Sequence, residues 1–93
     1  MKIFYDEKKD SPDGWIGIKN PKDVINNLKR GLVKYLSIGD DDEKSSDFIL
    51  LWIEEAIINF GFKPPFIKTH SISSPTRKKI ENAIRSIKKY SLL

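Results

Sequence analysis

Ninety-three residues, 39% hydrophobic and 11% aromatic, suit one globular core and leave no room for two. A charged fraction of 32% with a net charge of only +4 excludes compositional disorder, and the lack of cysteine excludes disulfides and thiolate metal sites. The longest apolar run, Phe48 to Ile53, is far too short to span a bilayer. No signal peptide is visible, so a single cytoplasmic domain over residues 1–93 is expected, with no membrane partner. Charge is polarised along the chain. Residues 40–47 hold five acids against one lysine, and residues 74–93 hold six Lys or Arg against one acid, Glu81.

Lys2 to Tyr5 predicts a short strand ending in the acidic pair Asp6-Glu7, and the Ser11-Pro12-Asp13-Gly14 stretch after it is turn chemistry. Trp15 to Ile18 predicts a second strand. Asn20-Pro21 is a helix start, with asparagine as cap and proline at the first helical position. Val24, Ile25, Leu28 and Leu32 give the apolar stripe of that helix, and Gly31 marks its end. Leu32 to Ile38 predicts a third, buried strand running into the acidic loop that begins at Gly39-Asp40-Asp41.

Ser45 or Ser46 caps a second helix extending to about Phe60, with Gly61 as its stop. Its apolar residues nearly encircle it, which predicts heavy burial with Phe48 and Trp52 in the core. Phe66 to Thr69 predicts a fourth strand ending at His70-Ser71. Ser74-Pro75 starts a last helix with Ile80, Ala83, Ile84 and Ile87 on one face and basic residues on the other.

The order β-β-α-β-α-β-α predicts an α/β fold with a parallel sheet of about four strands covered by helices. In such sheets ligands bind beyond the carboxyl ends of the strands. Those ends are Asp6-Glu7, Gly39-Asp40-Asp41 and His70-Ser71, three polar termini at one edge. Asp6, Glu7 and Asp41 are candidate ligands for a hard cation such as Mg²⁺ or Mn²⁺. His70, the sole histidine, is a candidate acid, base or phosphate donor. The start of the last helix at Ser74 is a natural anion site, and Arg77, one turn in, can clamp a phosphate. Each has a structural alternative: a hydrogen-bonded histidine, a turn-forming acidic pair, a solvated basic face.

The order of these motifs resembles the cyclic-phosphate processing receiver-like family, whose members occur in bacterial and phage genomes. The matching stretches are Tyr5-Asp6-Glu7, Pro12 to Trp15, Ser37 to Glu43, Leu51 to Glu55, Pro64-Pro65, and His70-Ser71 through Arg77. The resemblance implies a small receiver-like, doubly wound parallel sheet with helices on both faces and the first helix abbreviated. It also implies a strand-end site acting on, or binding, cyclic phosphates of nucleotide type. Asp6 and Glu7 match the family's acidic pair, Asp41 the second aspartate of its middle motif, and His70, Ser71 and Arg77 its last motif. The first aspartate of the middle motif, where a receiver carries its phosphoacceptor, falls on Gly39, and the family's histidine falls on Asp40. Ser73-Ser74 replaces an Asn-Pro step, and Thr76 replaces the glycine before the arginine.

Two functions follow as expectations. One is a domain that binds, and weakly hydrolyses, a phosphorylated small molecule of cyclic-nucleotide or cyclic-phosphate type. In that scheme Asp6 and Asp41 hold the cation, water attacks phosphorus, His70 moves the proton and Arg77 meets the developing charge. The other is a receiver-like protein-interaction module that has lost its chemistry. Nucleic-acid binding through the basic last helix is disfavoured, because no nucleic-acid motif is present and aromatic residues are not interleaved with the basic ones.

Overall fold

A computed structural model of the chain describes residues 1–39 and 43–92. The elements follow the expected order: β1 (Lys2–Tyr5), β2 (Ile16–Ile18), α1 (Pro21–Lys29), β3 (Tyr35–Ile38), α2 (Glu43–Phe60), β4 (Phe66–Thr69) and α3 (Ser74–Ser91). All pairings are parallel, and the four strands lie in the order β2-β1-β3-β4. This is the start of the 2-1-3-4-5 order of doubly wound sheets.

Local chemistry sets several boundaries. The Asn20 side chain accepts from the Lys22 backbone N–H at 2.8 Å, and Pro21 opens α1 as anticipated. Gly31 and Gly61 both adopt positive φ (73° and 67°) just after α1 and α2, a conformation that costs glycine nothing. β3 is shorter than the predicted Leu32 to Ile38. The turn at Gly31 leaves Leu32 outside the sheet, and pairing starts where Tyr35 lies opposite Lys2.

The register fixes two faces. Ile3, Tyr5, Leu36, Ile38 and Ile67 project to one side and join Val24 and Leu28 of α1, Ile49, Leu50 and Ile53 of α2, and Ile80, Ile84 and Ile87 of α3 in the core. Burying each such side chain contributes about 1.5–3 kcal/mol. The core therefore places all three helices on one face, whereas helices on both faces were expected. The crossovers β2-α1-β3 and β3-α2-β4 advance in the same direction across the sheet, so the right-handed rule puts both helices on the same side. Only β1 to β2 runs the other way, and its connection carries no helix. The abbreviated first helix thus leaves the second face, bearing Lys2, Phe4, Tyr35, Ser37, Phe66 and Lys68, without a helical layer.

The predicted all-round burial of α2 is also corrected. Ile49, Leu50, Ile53 and Ala56 are buried, but Phe48 is 50% exposed and Leu51 and Ile58 face solvent. A helix covering a single-layered sheet has neighbours on one side only. Trp52 is partly buried against the core, its ring edge-on to Phe62 at 5.3 Å. Among the described residues, no helix is long and apolar enough to cross a membrane.

Candidate functional site at the strand ends

Asp6, Gly39 and His70 each stand one residue beyond a strand, so the sheet brings them side by side. The ladder continues past the strands: the Asp6 N–H donates to Ile18 O, that of Gly39 to Tyr5 O and that of His70 to Ile38 O. Two residues separate side chains on the same face, so Phe4 and Asp6 share the helix-free face with Ser37 and His70.

Asp6 is 1% exposed, yet it is fully partnered. Its Oδ1 accepts the backbone N–H groups of Lys8 and Lys9, each at 2.8 Å. Its Oδ2 lies 2.9 Å from Nε2 of His70. Burial alone would raise the carboxyl pKa. The two amides and, after them, the His70 hydrogen bond and charge together outweigh it and hold Asp6 below the ordinary aspartate value. Asp6 is therefore a carboxylate, and Nε2 of His70 is the donor to it.

His70 is held at both ring nitrogens and by one stacked ring. Its Nδ1 lies 2.7 Å from Ser37 Oγ, and its ring stacks on Phe4 at 3.9 Å between centroids with 13° between planes. Ser37 is buried in the middle of β3. A hydroxyl donates to a neutral imidazole and accepts from a charged one, so Ser37 satisfies Nδ1 in either protonation state. The chain Asp6–His70–Ser37 has the parts of a nucleophilic triad, but the buried hydroxyl cannot reach a substrate. It orients the imidazole.

Gly39 explains how the ring comes so close. A Cβ at this position would collide with Nε2 and Cδ2 of His70 and with Oδ2 of Asp6. The imidazole thus fills the space that the side chain of a phosphoacceptor aspartate would need. Absence of the acid at Gly39 and closure of the Asp6–His70 pair are two sides of one arrangement.

The other expected site residues are more loosely placed. Glu7 is exposed and accepts the Tyr5 hydroxyl through Oε1 at 3.2 Å. Ser71 is buried; its N–H donates to Thr69 Oγ1 and its Oγ accepts the Ser73 N–H, which stiffens the turn into α3. Ser73, rather than Ser74, is the N-cap of α3, and its side chain makes no capping bond. Ser74 is an exposed residue of the first turn. Arg77 is exposed and its Nε lies 3.2 Å from Glu81 Oε1, an i,i+4 pair along the helix instead of a contact with His70. Asp40 and Asp41 lie outside the described residues.

The expected divalent-cation centre, with Asp41 outside the described residues, is not assembled by the described donors alone. Among the described residues, no group of three or more His, Asp or Glu is gathered closely enough to hold a metal ion. Both oxygens of Asp6 are engaged with protein donors, and Glu7 turns to Tyr5.

Phe4, Ser37 and the amides of Lys8 and Lys9 complete the site and were not singled out from the sequence. The one available signal was Ser37, a small polar residue inside an apolar strand. The sequence model of the cyclic-phosphate processing receiver domain matches residues 1–86, whereas no curated protein and no solved structure matches the chain significantly. With that match covering nearly the whole length, and with the parallel sheet the resemblance implied, the chain belongs to the cyclic-phosphate processing receiver domain family.

Proposed function

We propose that the strand-end site binds a small phosphorylated ligand of cyclic-phosphate type as an anion, with binding ahead of turnover. The observation that carries this reading is the locked His70, bonded through both ring nitrogens beside a helix start that no side chain caps. The first-turn N–H groups of an α-helix have no partner within the helix, and its N-terminus favours negative charge. Pro75 has no N–H and that of Arg77 already bonds Ser73 O, so Ser74 and Thr76 supply the donors. The surface pair Arg77–Glu81 is worth only ~0.3–0.5 kcal/mol. Its guanidinium can therefore leave Glu81 for a phosphate at little cost.

Rapid hydrolysis asks for an acid or base within reach of the reacting atoms. Both nitrogens of His70 are engaged inside the protein, and Gly39 supplies no carboxylate. Family membership supports the cyclic phosphate as ligand, and this geometry supports retention over cleavage.

The test is a panel of 2′,3′- and 3′,5′-cyclic mononucleotides and cyclic dinucleotides, with and without Mg²⁺ or Mn²⁺, read by thermal shift and product mass together. The expected result is stabilisation without a linearised product, lost in Arg77→Ala and weakened in His70→Asn with the fold retained. A linearised product would instead establish an enzyme. No response from any member would overturn the reading and leave a protein-interaction module.

A further inference from the structure

The face that no helix covers carries an ordered set of aromatic and cationic side chains. Register places Lys2 opposite Tyr35 and Tyr35 opposite Phe66 in one row across the sheet. Trp15, just before β2, extends that row beyond β1. Its ring lies 5.7 Å from Nζ of Lys2 and 5.1 Å from Nζ of Lys68, and Lys2 Nζ is also 5.6 Å from the Tyr35 ring. Tyr35 and Phe66 meet edge to face at 6.2 Å and are 43% and 58% exposed. Together with Leu36 these side chains line a groove of about 290 Å³. With strands ~4.8 Å apart, the row spans ~14 Å.

Two features narrow what this groove accepts. Among the described residues neither Lys2 nor Lys68 has a carboxylate partner; their charges rest on aromatic rings. A second copy of the face would set lysine against lysine, and an apolar partner would bury both charges unpaired. The complement is therefore an anion that also presents flat rings. Sheets that display aromatic side chains for base stacking beside cations for phosphates are a standard answer to single-stranded nucleic acid. The row is long enough for two or three stacked bases, and the strand register supplies the interleaving of aromatic and basic residues that the linear sequence lacks.

We propose that this face, formed by Trp15, Lys2, Tyr35, Phe66 and Lys68, is a docking platform for single-stranded nucleic acid. It lies on the same face as the strand-end residues, with Lys68 opposite Ser37, and does not depend on what the strand-end site binds. Lysine contacts to two phosphates predict an affinity that falls about sevenfold between roughly 50 and 200 mM salt. Loss of one stacking ring predicts at least a fivefold weakening.

Filter binding of the full chain to oligouridylate and oligothymidylate tests it, with an oligoglutamate peptide as competitor. The expected result is saturable binding with that salt dependence. Trp15→Ala and Tyr35→Ala should each weaken it fivefold or more, and Lys2→Gln and Lys68→Gln should each flatten the salt slope. Circular dichroism confirms that each variant is folded, and Lys2→Gln and Lys68→Gln keep the test valid if an aromatic variant is not. A dissociation constant above ~100 µM at the lower salt would overturn the proposal. So would equal competition by oligoglutamate, which marks an acidic peptide as the partner, or binding abolished only by Lys88→Glu and Lys89→Glu on α3.

Discussion

Asp6 carries a charge where water does not reach, and two amides and one imidazole replace the water it lost. Asp6→Asn keeps the shape and leaves Oδ1 for the two amides, but sets its NH2 group against the Nε2–H of His70. Urea unfolding should show a loss of about 2–4 kcal/mol. The same carboxylate gives stability a sign with pH. Its folded-state pKa is depressed, so its contribution is complete above the ordinary value of 3.8 and disappears as pH falls through the lower folded-state value. Acid titration of the wild type should show this loss below about pH 4, and Asp6→Asn should flatten that limb. Gly39→Asp is the converse experiment. The new side chain must displace His70 from Phe4 and Asp6, and overpacking of this kind costs about 1–3 kcal/mol. A Gly39→Asp protein as stable as wild type would show that the imidazole position is not fixed as described. Asp6 and His70 were legible in the sequence because strand ends in parallel sheets collect ligand residues. Phe4 and Ser37 were not, since their part in the site depends on His70 folding back over the face they share. That contact spans 33 residues for Ser37.

Helix starts show how much of an element its own residues decide. Asn20-Pro21 works as written, with a side-chain cap in place, and Asn20→Ala should cost about 1 kcal/mol. Ser73 sits at the corresponding place in α3 without a capping bond, so Ser73→Ala should cost only a few tenths of a kcal/mol. Paired chemical denaturation of the two variants checks the contrast. The cap of α3 falls one residue earlier than Ser74-Pro75 suggested, which puts proline at the second helical position. The ends of α1 and α2 were readable from Gly31 and Gly61. The exposure of Phe48 and Leu51 was not, because helical spacing shows which residues share a side and says nothing of how many sides have neighbours.

At the scale of the molecule, alternating strands and helices were enough to foresee a parallel α/β sheet, and the abbreviated first helix was foreseen as well. With no helix between β1 and β2, no crossover returns to cover the second face. Stability should therefore be one-sided. Ile53→Ala on the covered side should cost about 2–5 kcal/mol, whereas Tyr35→Ala on the other should cost under about 1 kcal/mol; equal losses in a urea titration would show that the open face is packed. The division also separates the two tryptophans, Trp15 beside Lys2 and Lys68 on the open face and Trp52 against Phe62 behind the sheet. The protein thus holds one tryptophan per side. Iodide, drawn to the lysines, should quench Trp15 preferentially, caesium should quench it poorly, and Trp15→Phe and Trp52→Phe would give each side its own optical channel.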